Sequence, residues 1–172
     1  MTTFSDLESA APRLATRIRS RFEATGLAIL GTIRADGSPR VSPIEVTLRF
    51  GGLYLGMMPG SLKHRDVERD PRVALLTPVA DKEDLSGEGK LFGGLRPLRD
   101  VEQIAAIFEA ATAGSEQFDA SDLEGSPVYE VDVRGAAWQH LDGDTWVTES
   151  WSTGRGLRTF RRQGATGEAV EV

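Results

Sequence analysis

Apolar residues recur every four positions near the amino terminus, which is the period of one face of an α-helix. Leu14, Ile18 and Phe22 form this apolar stripe, and Gly26 is a plausible C-terminal stop. The pattern therefore predicts a helix over residues 10–25.

The start of this helix has two candidate signals. Ser5 and Glu8 have the spacing of a capping box, whereas Pro12 fits only in the first turn of a helix. We therefore expect the secure helix to begin near Ala10.

Period-two runs rich in Ile, Leu, Val and Thr follow over residues 27–58, interrupted at Asp36-Gly37 and Gly51-Gly52. They predict a three-stranded meander with two tight hairpins. Both faces of the first strand are apolar, so it needs two covers, and in an antiparallel barrel a partner subunit often supplies the second. One face would carry Leu27, Ile29 and Ile33, and the other Ala28, Leu30 and Thr32.

The remaining pattern predicts two helices and four strands. Ser61 can cap a short helix that ends at Pro71, and Asp100 can cap a second helix. Gly93-Gly94 indicates a bulge or a close backbone approach within its strand. The second helix would bury Val101, Ile104, Ala105 and Phe108, and the four strands read RVALLTPV, KLFGGLRPL, PVYEVDVRGAAWQHL and, last, TWVTESW.

This order of elements predicts a mainly β, α+β fold. Consecutive strands with helices inserted between them favour an antiparallel barrel over a parallel sheet. The length fits a single domain, 1–172, with a helical amino terminus at 10–25, a barrel at 27–151 and a flexible tail from about 163.

Composition narrows the function. A formal charge of −6 and a pI near 5.0 argue against a nucleic-acid partner, because such binding depends on clustered Lys and Arg. The chain has no cysteine, and we find no leader-like or membrane-spanning run, so we expect a cytoplasmic protein. The two histidines, His64 and His140, lack the spacing of a metal site, and no hydrolytic triad or Walker loop is present.

Two positions have a chemistry that can be stated from the residues alone. Ser61 begins a helix whose free amides attract an anion, and Lys63 lies in its first turn, so the pair could hold a phosphate. The alternative is a simple cap beside a solvated lysine.

Strand alternation sends Arg40 and Ser42 toward the apolar side. Either Pro43 breaks the phase with a bulge, Arg40 lies at a barrel rim where an anionic ligand or partner carboxylate compensates it, or Arg40 is simply exposed at the hairpin end.

Three segments in this order resemble the pyridoxamine 5'-phosphate oxidase-like superfamily, the split-barrel flavin and deazaflavin oxidoreductases. They are LAILGTIRADGSPRVSPI, GSLKHRDVERDPRVALL and KLFGGLRPLRDVEQIAAIF. The resemblance implies an antiparallel, Greek-key split β-barrel with three to four peripheral helices. It also implies a homodimer that binds FMN and a small-molecule substrate at the subunit interface.

The resemblance assigns cofactor contacts to both motifs and to the closing strands. Trp151 is the ring neighbour expected among Trp138, Trp146 and Trp151, for which core and interface packing is the alternative. Arg155, Arg158 and Arg161 could close over an anionic tail or form a solvated terminus. The full set of expected cofactor-binding residues is Arg40, Val41, Ser42, Pro43, Met58, Ser61, Lys63, Lys90 and Trp151.

The chain departs from the family pattern at two points. The strand of pyridoxamine oxidases proper resembles the pattern Arg-x-Val-x-x-Lys, in which the lysine serves the phosphate. This chain has Glu45 at the lysine position, and a carboxylate there would repel phosphate. The tail TGRGLRTFRR lacks the histidine that grips the vitamin B6 substrate in those enzymes. True pyridoxamine phosphate oxidase activity is therefore not expected.

Three hypotheses follow. The first is an FMN-dependent oxidoreductase in which the cofactor carries the electron-transfer chemistry. The second is an F420-dependent reductase of the same fold, whose anionic tail would need a basic track such as Arg13, Arg17 and Arg21. The third is a non-catalytic carrier or sensor for flavin, haem or another ring, or an empty barrel that serves as an interaction module.

Overall fold

The structure is a computed structural model that describes residues 1–79, 81, 83–117 and 119–172. It contains four α-helices: α1 (Phe4–Ala10), α2 (Pro12–Thr25), α3 (Leu62–Arg69) and α4 (Val101–Thr112). Its strands are β1 (Leu27–Ile33), β2 (Pro39–Glu45), β3 (Thr47–Arg49), β4 (Gly52–Gly56), β5 (Arg72–Leu76), β6 (Glu88–Pro97), β7 (Val128–Asp142), β8 (Thr145–Ser152), β9 (Gly156–Gln163) and β10 (Val170–Glu171).

All strand pairs are antiparallel, and together they form one sheet in the order β10-β9-β8-β7-β6-β5-β1-β2, with β4 also paired to β7 and β3 to β4. The long strand β7 therefore belongs to two layers. Its first residues pair with β4 and its last residues with β8, while β6 runs along its other edge. This sharing produces the predicted split β-barrel, in which the sheet folds back without closing completely.

The apolar stripe of α2 covers the core of the barrel. Leu14, Ile18 and Phe22 are fully buried, and Gly26 ends the helix in the left-handed conformation, as predicted. Close packing of α2 on the sheet needs a small residue at Gly89, where a Cβ would lie 2.8 Å from Ile18. The helical amino terminus thus closes one side of the barrel.

The amino-terminal capping box differs from the predicted one. Thr3 caps α1 and exchanges hydrogen bonds with Asp6, so helix begins at Phe4 rather than near Ala10, and the Ser5–Glu8 spacing is not the box that forms. Pro12 then opens α2 in the position that a proline tolerates.

The predicted meander is correct in its turns but not in its number of strands. The run after Asp36-Gly37 divides at Val46, whose amide donates to Gly26 O (2.9 Å) as the last hydrogen bond in register with β1, and β3 begins at the next residue. Phe50 and Gly51 both have positive φ in the second hairpin, which is the turn that a two-residue connection favours.

Gly93 lies at the predicted bulge. The register of β6 against β7 shifts between Phe92 and Gly93, and a Cβ on Gly93 would lie 1.9 Å from Asp132 O. The caps at Ser61 and Asp100 also form as predicted.

Two expectations for the later elements are wrong. Val101 and Ala105 are exposed on α4, whereas Phe108 is buried and Ile104 half-buried as predicted. Ile107 is buried as well, because the helix packs on a small second cluster around Tyr54 and Val128.

TWVTESW is not the last strand, since β9 pairs with the whole of β8 and β10 pairs with β9. The flexibility of residues after about 163 stays a prediction, as does the single domain 1–172. Within the described part of the chain, every helix is too short or too polar to cross a bilayer.

Candidate functional site

The start of α3 lies against the edge strand β2, and we call this place the β2–α3 corner (Arg40, Ser42, Pro43, Ser61 and Lys63). Ser61 Oγ accepts from the amide of His64 and so begins the helix, while the first amides of α3 have no acceptor ahead of them within the helix. Lys63 Nζ donates to Pro43 O (3.0 Å) and ties the two elements together. The structure therefore brings the two predicted phosphate motifs to one place.

Lys63 is half-buried at this corner. Burial lowers the pKa of its ammonium, and the nearby Glu45 carboxylate acts in the opposite direction. Glu45 stands two residues after Pro43 on the same side of β2, which places the two residues about 7 Å apart along the strand. The ammonium thus has a carboxylate neighbour.

Arg40 points inward, as strand alternation predicts, and its charge is compensated by Asp66 of α3. Arg40 Nε donates to Asp66 Oδ2 (2.6 Å), and Thr32 Oγ1 donates to the same oxygen (2.9 Å). The hydrogen bond from Arg40 is the main reason that the pKa of the Asp66 carboxyl lies below its ordinary value, against the effect of burial.

The ladder between β1 and β2 runs without a break through Pro43, so the proline causes no change of phase. Of the alternatives for Arg40, the compensating anion is the one observed, and the chain itself supplies it.

Sequence reasoning did not identify Asp66. The available signal was the inward phase of Arg40, which requires a carboxylate, but Asp66 lies 26 positions further along the chain, and no local pattern selected it.

Ser42 has an unsatisfied hydroxyl at the corner. Its Oγ is buried and has no hydrogen-bond partner among the residues that the structure describes. Buried polar atoms are satisfied in most native proteins, so each exception needs a reason. An oxygen or nitrogen of a bound molecule would satisfy this one.

Apolar side chains surround the corner on the outside. Val41 is 68% exposed and Met58 71%, and Leu62 at the start of α3 is also exposed. Val41 and Pro43 belong to the outward face of the sheet, where two rows of paired positions cross from β2 to β8. The rows are Val41, Gly31, Ala74, Phe92, Gly135 and Ser152, and Pro43, Ile29, Leu76, Lys90, Ala137 and Ser150. This outward face is therefore made largely of small and apolar residues.

Lys90 and Trp151 lie away from the corner. Lys90 shares a row with Pro43 but is three strands away, about 14 Å at ordinary strand spacing, and its Nζ pairs with Glu88. Trp151 is 6% exposed and packs in the barrel core on the inward side of β8. Cofactor contact by either residue stays a prediction.

Three of the six arginines suggested for an anionic tail are engaged in ion pairs. Arg17 pairs with Glu149, Arg21 with Asp84, and Arg158 with Glu171.

A cavity of about 210 Å³ also lies apart from the corner, lined by Val79, Asp84, Leu85, Gly87, Glu88, Gln139 and Trp146.

His64 has a defined tautomer beside the corner. The Gly60 amide donates to its Nδ1 (3.0 Å), so the neutral ring carries its proton on Nε2, which lies 3.7 Å from Glu68. The ring also lies 6.1 Å from Tyr129, centroid to centroid. Among the described residues, no cluster of three or more His, Asp or Glu side chains is placed to hold a metal ion.

Solved structures share this fold at low sequence identity. The conserved hypothetical protein Rv2991 from Mycobacterium tuberculosis aligns with a TM-score of 0.61 at 17% identity, over 70% of this chain and 81% of that one. A Clostridium acetobutylicum protein of the pyridoxinephosphate oxidase family, related to general stress protein 26, gives 0.61 at 10%, over 81% and 94%. A heme binding protein from Mycobacterium smegmatis gives 0.55 at 16%, over 87% and 88%.

Sequence comparison identifies the family. A search of curated proteins found no match. The family model described as pyridoxamine 5'-phosphate oxidase matches residues 14–137, which include β2, α3 and the corner between them. The chain therefore belongs to the pyridoxamine 5'-phosphate oxidase family.

Proposed function

We propose that this chain is a homodimeric flavin-dependent oxidoreductase that binds FMN, or alternatively F420, with the phosphate at the β2–α3 corner. The observation that carries the proposal is the contact between Lys63 Nζ and Pro43 O at 3.0 Å, which joins the cation, the free helix amides and the edge strand. Helix amides and an ammonium at one point suit a phosphate.

The residues at the corner fit the phosphorylated end of such a cofactor in part. The α3 amides and Lys63 would hold the phosphate, and the unsatisfied Ser42 hydroxyl would accept or donate a further hydrogen bond. Arg40 fits less well, because Asp66 already occupies its guanidinium. Val41 and Met58 would offer apolar contacts beside the ring. The cofactor, when bound, supplies the electron-transfer chemistry, and the chain binds it and excludes water.

A second subunit is the proposed cover for the ring. The outward face beside the corner is continuous from β2 to β8 and carries exposed apolar side chains, with Phe92 46% exposed at its centre. Such a face on a soluble protein marks an interaction surface. The small residues of its two rows would let a second sheet approach closely.

The non-catalytic alternative is supported by the similarity to a heme binding protein. A histidine that ligates haem iron through Nε2 keeps its proton on Nδ1 and donates it to a neighbour. His64 has the opposite arrangement, because its Nδ1 accepts from Gly60. Haem ligation by His64 would therefore require loss of this hydrogen bond, which is an argument against His64 as a haem ligand.

The test is a titration of the purified protein with FMN, F420 and haem, followed by the same titration of Lys63→Ala. We expect the substitution to weaken FMN binding by about 1–3 kcal/mol while the fold is retained, because one charge-assisted contact is lost. The absorption spectrum of the freshly purified protein would show which ring is bound in the cell.

Arg65→Ala is the matched control for this experiment. Arg65 is exposed two residues later on the same helix, on a different side from Lys63, so its loss should leave FMN affinity unchanged. Equal FMN affinity in the Lys63→Ala variant and the unsubstituted protein would contradict the phosphate assignment. Binding of haem alone would contradict the flavin proposal as a whole.

A further inference from the structure

The charges at the β2–α3 corner nearly cancel one another. Arg40 pairs with Asp66 at 2.6 Å, His64 Nε2 lies 3.7 Å from Glu68, and Lys63 has Glu45 as its carboxylate neighbour. Arg69 lies 3.6 Å from the other oxygen of Asp66 and also donates to Ile33 O, so it too is engaged on the side of α3 that faces β1. The positive charge available to a ligand at this corner is therefore close to that of Lys63 alone, reduced by Glu45.

Phosphate esters differ in the charge that they bring to such a place. A phosphate monoester carries close to two negative charges at pH 7.5, because its second ionisation lies near pH 6. A phosphate diester carries one negative charge at the same pH. Among the residues that the structure describes, the second charge of a monoester would meet no free cation at the corner, and Glu45 would repel it.

Glu45 is placed to distinguish a phosphate monoester from a diester, and it lies outside the hydrophobic core. Its side chain is exposed and projects from the same side of β2 as Pro43, whose carbonyl accepts from Lys63. It is therefore close enough to act on a group bound by Lys63, and it can be changed without opening a cavity. Asp66, in contrast, is 3% exposed and cannot be replaced so simply.

We propose that Glu45 is a specificity-determining residue that weakens binding of a doubly charged phosphate monoester relative to a singly charged phosphate diester of the same ring. This inference rests on the proposed flavin function and adds the class of phosphate that the corner accepts. The ring is held by the apolar surroundings, and the charge of its phosphate then decides between ligands.

The test compares three flavins that differ only in this group: riboflavin, FMN and the monomethyl ester of FMN. Their dissociation constants are measured by flavin fluorescence at pH 7.5 with the full chain, its Glu45→Gln variant and its Glu116→Gln variant. Glu116 is exposed in the loop after α4, so its substitution changes the net charge by the same unit away from β2 and α3.

In the unsubstituted protein we expect the methyl ester to bind at least as tightly as FMN. In Glu45→Gln the affinity ratio of FMN to methyl ester should rise by about fivefold. If the two charges are as far apart as Glu45 and Pro43 are along β2, about 7 Å, their repulsion corresponds to roughly threefold in water and more at a partly buried site. Riboflavin affinity should stay the same. The fivefold change should shrink at 0.5 M salt, because screening weakens an exposed charge.

Two results would overturn the inference, and they can be told apart. If none of the three flavins binds the unsubstituted protein, the proposed flavin function fails and the inference fails with it. If the flavins bind but Glu45→Gln leaves the FMN-to-methyl-ester affinity ratio unchanged, or raises it no more than Glu116→Gln does, the flavin function stands and Glu45 has no selective role.

Discussion

Asp66 is the residue on which the corner depends most. It is buried and accepts hydrogen bonds from Thr32 and Arg40, so it fixes the position of α3 against β1 and β2. Removal of a buried carboxylate that accepts two hydrogen bonds destabilises the fold strongly, because the Arg40 charge and the Thr32 hydroxyl are then left without their acceptor. Its role is to hold Arg40 in place, and with it the inward side of β2.

We predict that Asp66→Asn lowers the free energy of unfolding by about 2–4 kcal/mol at pH 7, as expected for a broken buried ion pair. The folded-state pKa of Asp66 is lowered, so its stabilising effect is present above the ordinary aspartate pKa and disappears as the pH falls through the folded value. The difference between variant and unsubstituted protein should therefore narrow below about pH 4.

Urea unfolding at pH 7 and pH 3 measures both effects. Glu109→Gln removes an exposed carboxylate from α4 and serves as the control, with a change within about 0.5 kcal/mol. A difference between Asp66→Asn and the unsubstituted protein that is equally large at both pH values would show that the loss is steric rather than electrostatic.

The bulge in β6 is the element on which the shape of the long strand pair depends. Gly93 lies where a Cβ would meet Asp132 O at 1.9 Å, whereas the adjacent Gly94 has 3.6 Å to its nearest neighbours. Two consecutive glycines thus have different reasons to be small. Only the first permits a close approach of the backbones of β6 and β7.

We predict that Gly93→Ala costs more than about 3 kcal/mol of stability or prevents folding, because a backbone oxygen cannot move aside as a side chain does. Gly94→Ala should cost about 1 kcal/mol or less. Soluble yield and thermal unfolding of the two variants, prepared in parallel, give the comparison. Equal stability of the two proteins would mean that the bulge can shift to another position.

Local signals predicted the elements whose ends are set by one or two side chains. Ser61, Asp100 and Gly26 each act through their own neighbours, so the caps and the helix end were visible in the sequence. The capping box at Thr3 was missed because Ser5 has an equally good spacing, and the choice depends on where α1 packs. The strand β9 was missed because Leu157 and Phe160 do not alternate and arginines surround them, so only its pairing with β8 makes it a strand.

The candidate site could also be predicted only where local sequence patterns determine it. The two motifs that meet at the corner were identified from their residues and from the family resemblance, since each is a local pattern. The partner of Arg40 was not identified, because it depends on how α3 packs against β1. The distance of Lys90 and the inward direction of Trp151 depend on the twist and order of the whole sheet.

At the scale of the whole molecule, the outward face of the sheet is only partly covered by the described chain and contains small residues at its centre. Ala74 and Ala137 lie in two neighbouring rows of this face, between Val41 at one end and Ser150 at the other. A second copy of the chain that covered this face would also enclose the ring of a cofactor held at the corner. Assembly and cofactor binding are therefore expected to depend on each other.

We predict that Ala137→Glu yields a monomer with weakened cofactor binding, because a buried carboxylate without a partner is not tolerated in an interface. Light scattering after size-exclusion chromatography gives the mass, and far-UV circular dichroism checks the fold. Ala105→Glu places the same charge on the exposed side of α4 and should remain dimeric. A dimer that survives Ala137→Glu would place the interface on another surface.

The edge strand β2 contains two prolines, Pro39 and Pro43, and the carbonyl of the second is already occupied by Lys63. An incoming strand from another molecule would find missing donors at two positions and a blocked acceptor at one. The open end of the barrel is thus protected from edge-to-edge aggregation by the same residues that form the candidate site. Substitutions of Pro43 or Lys63 intended to alter ligand binding would therefore also make the protein more prone to form intermolecular β-sheet.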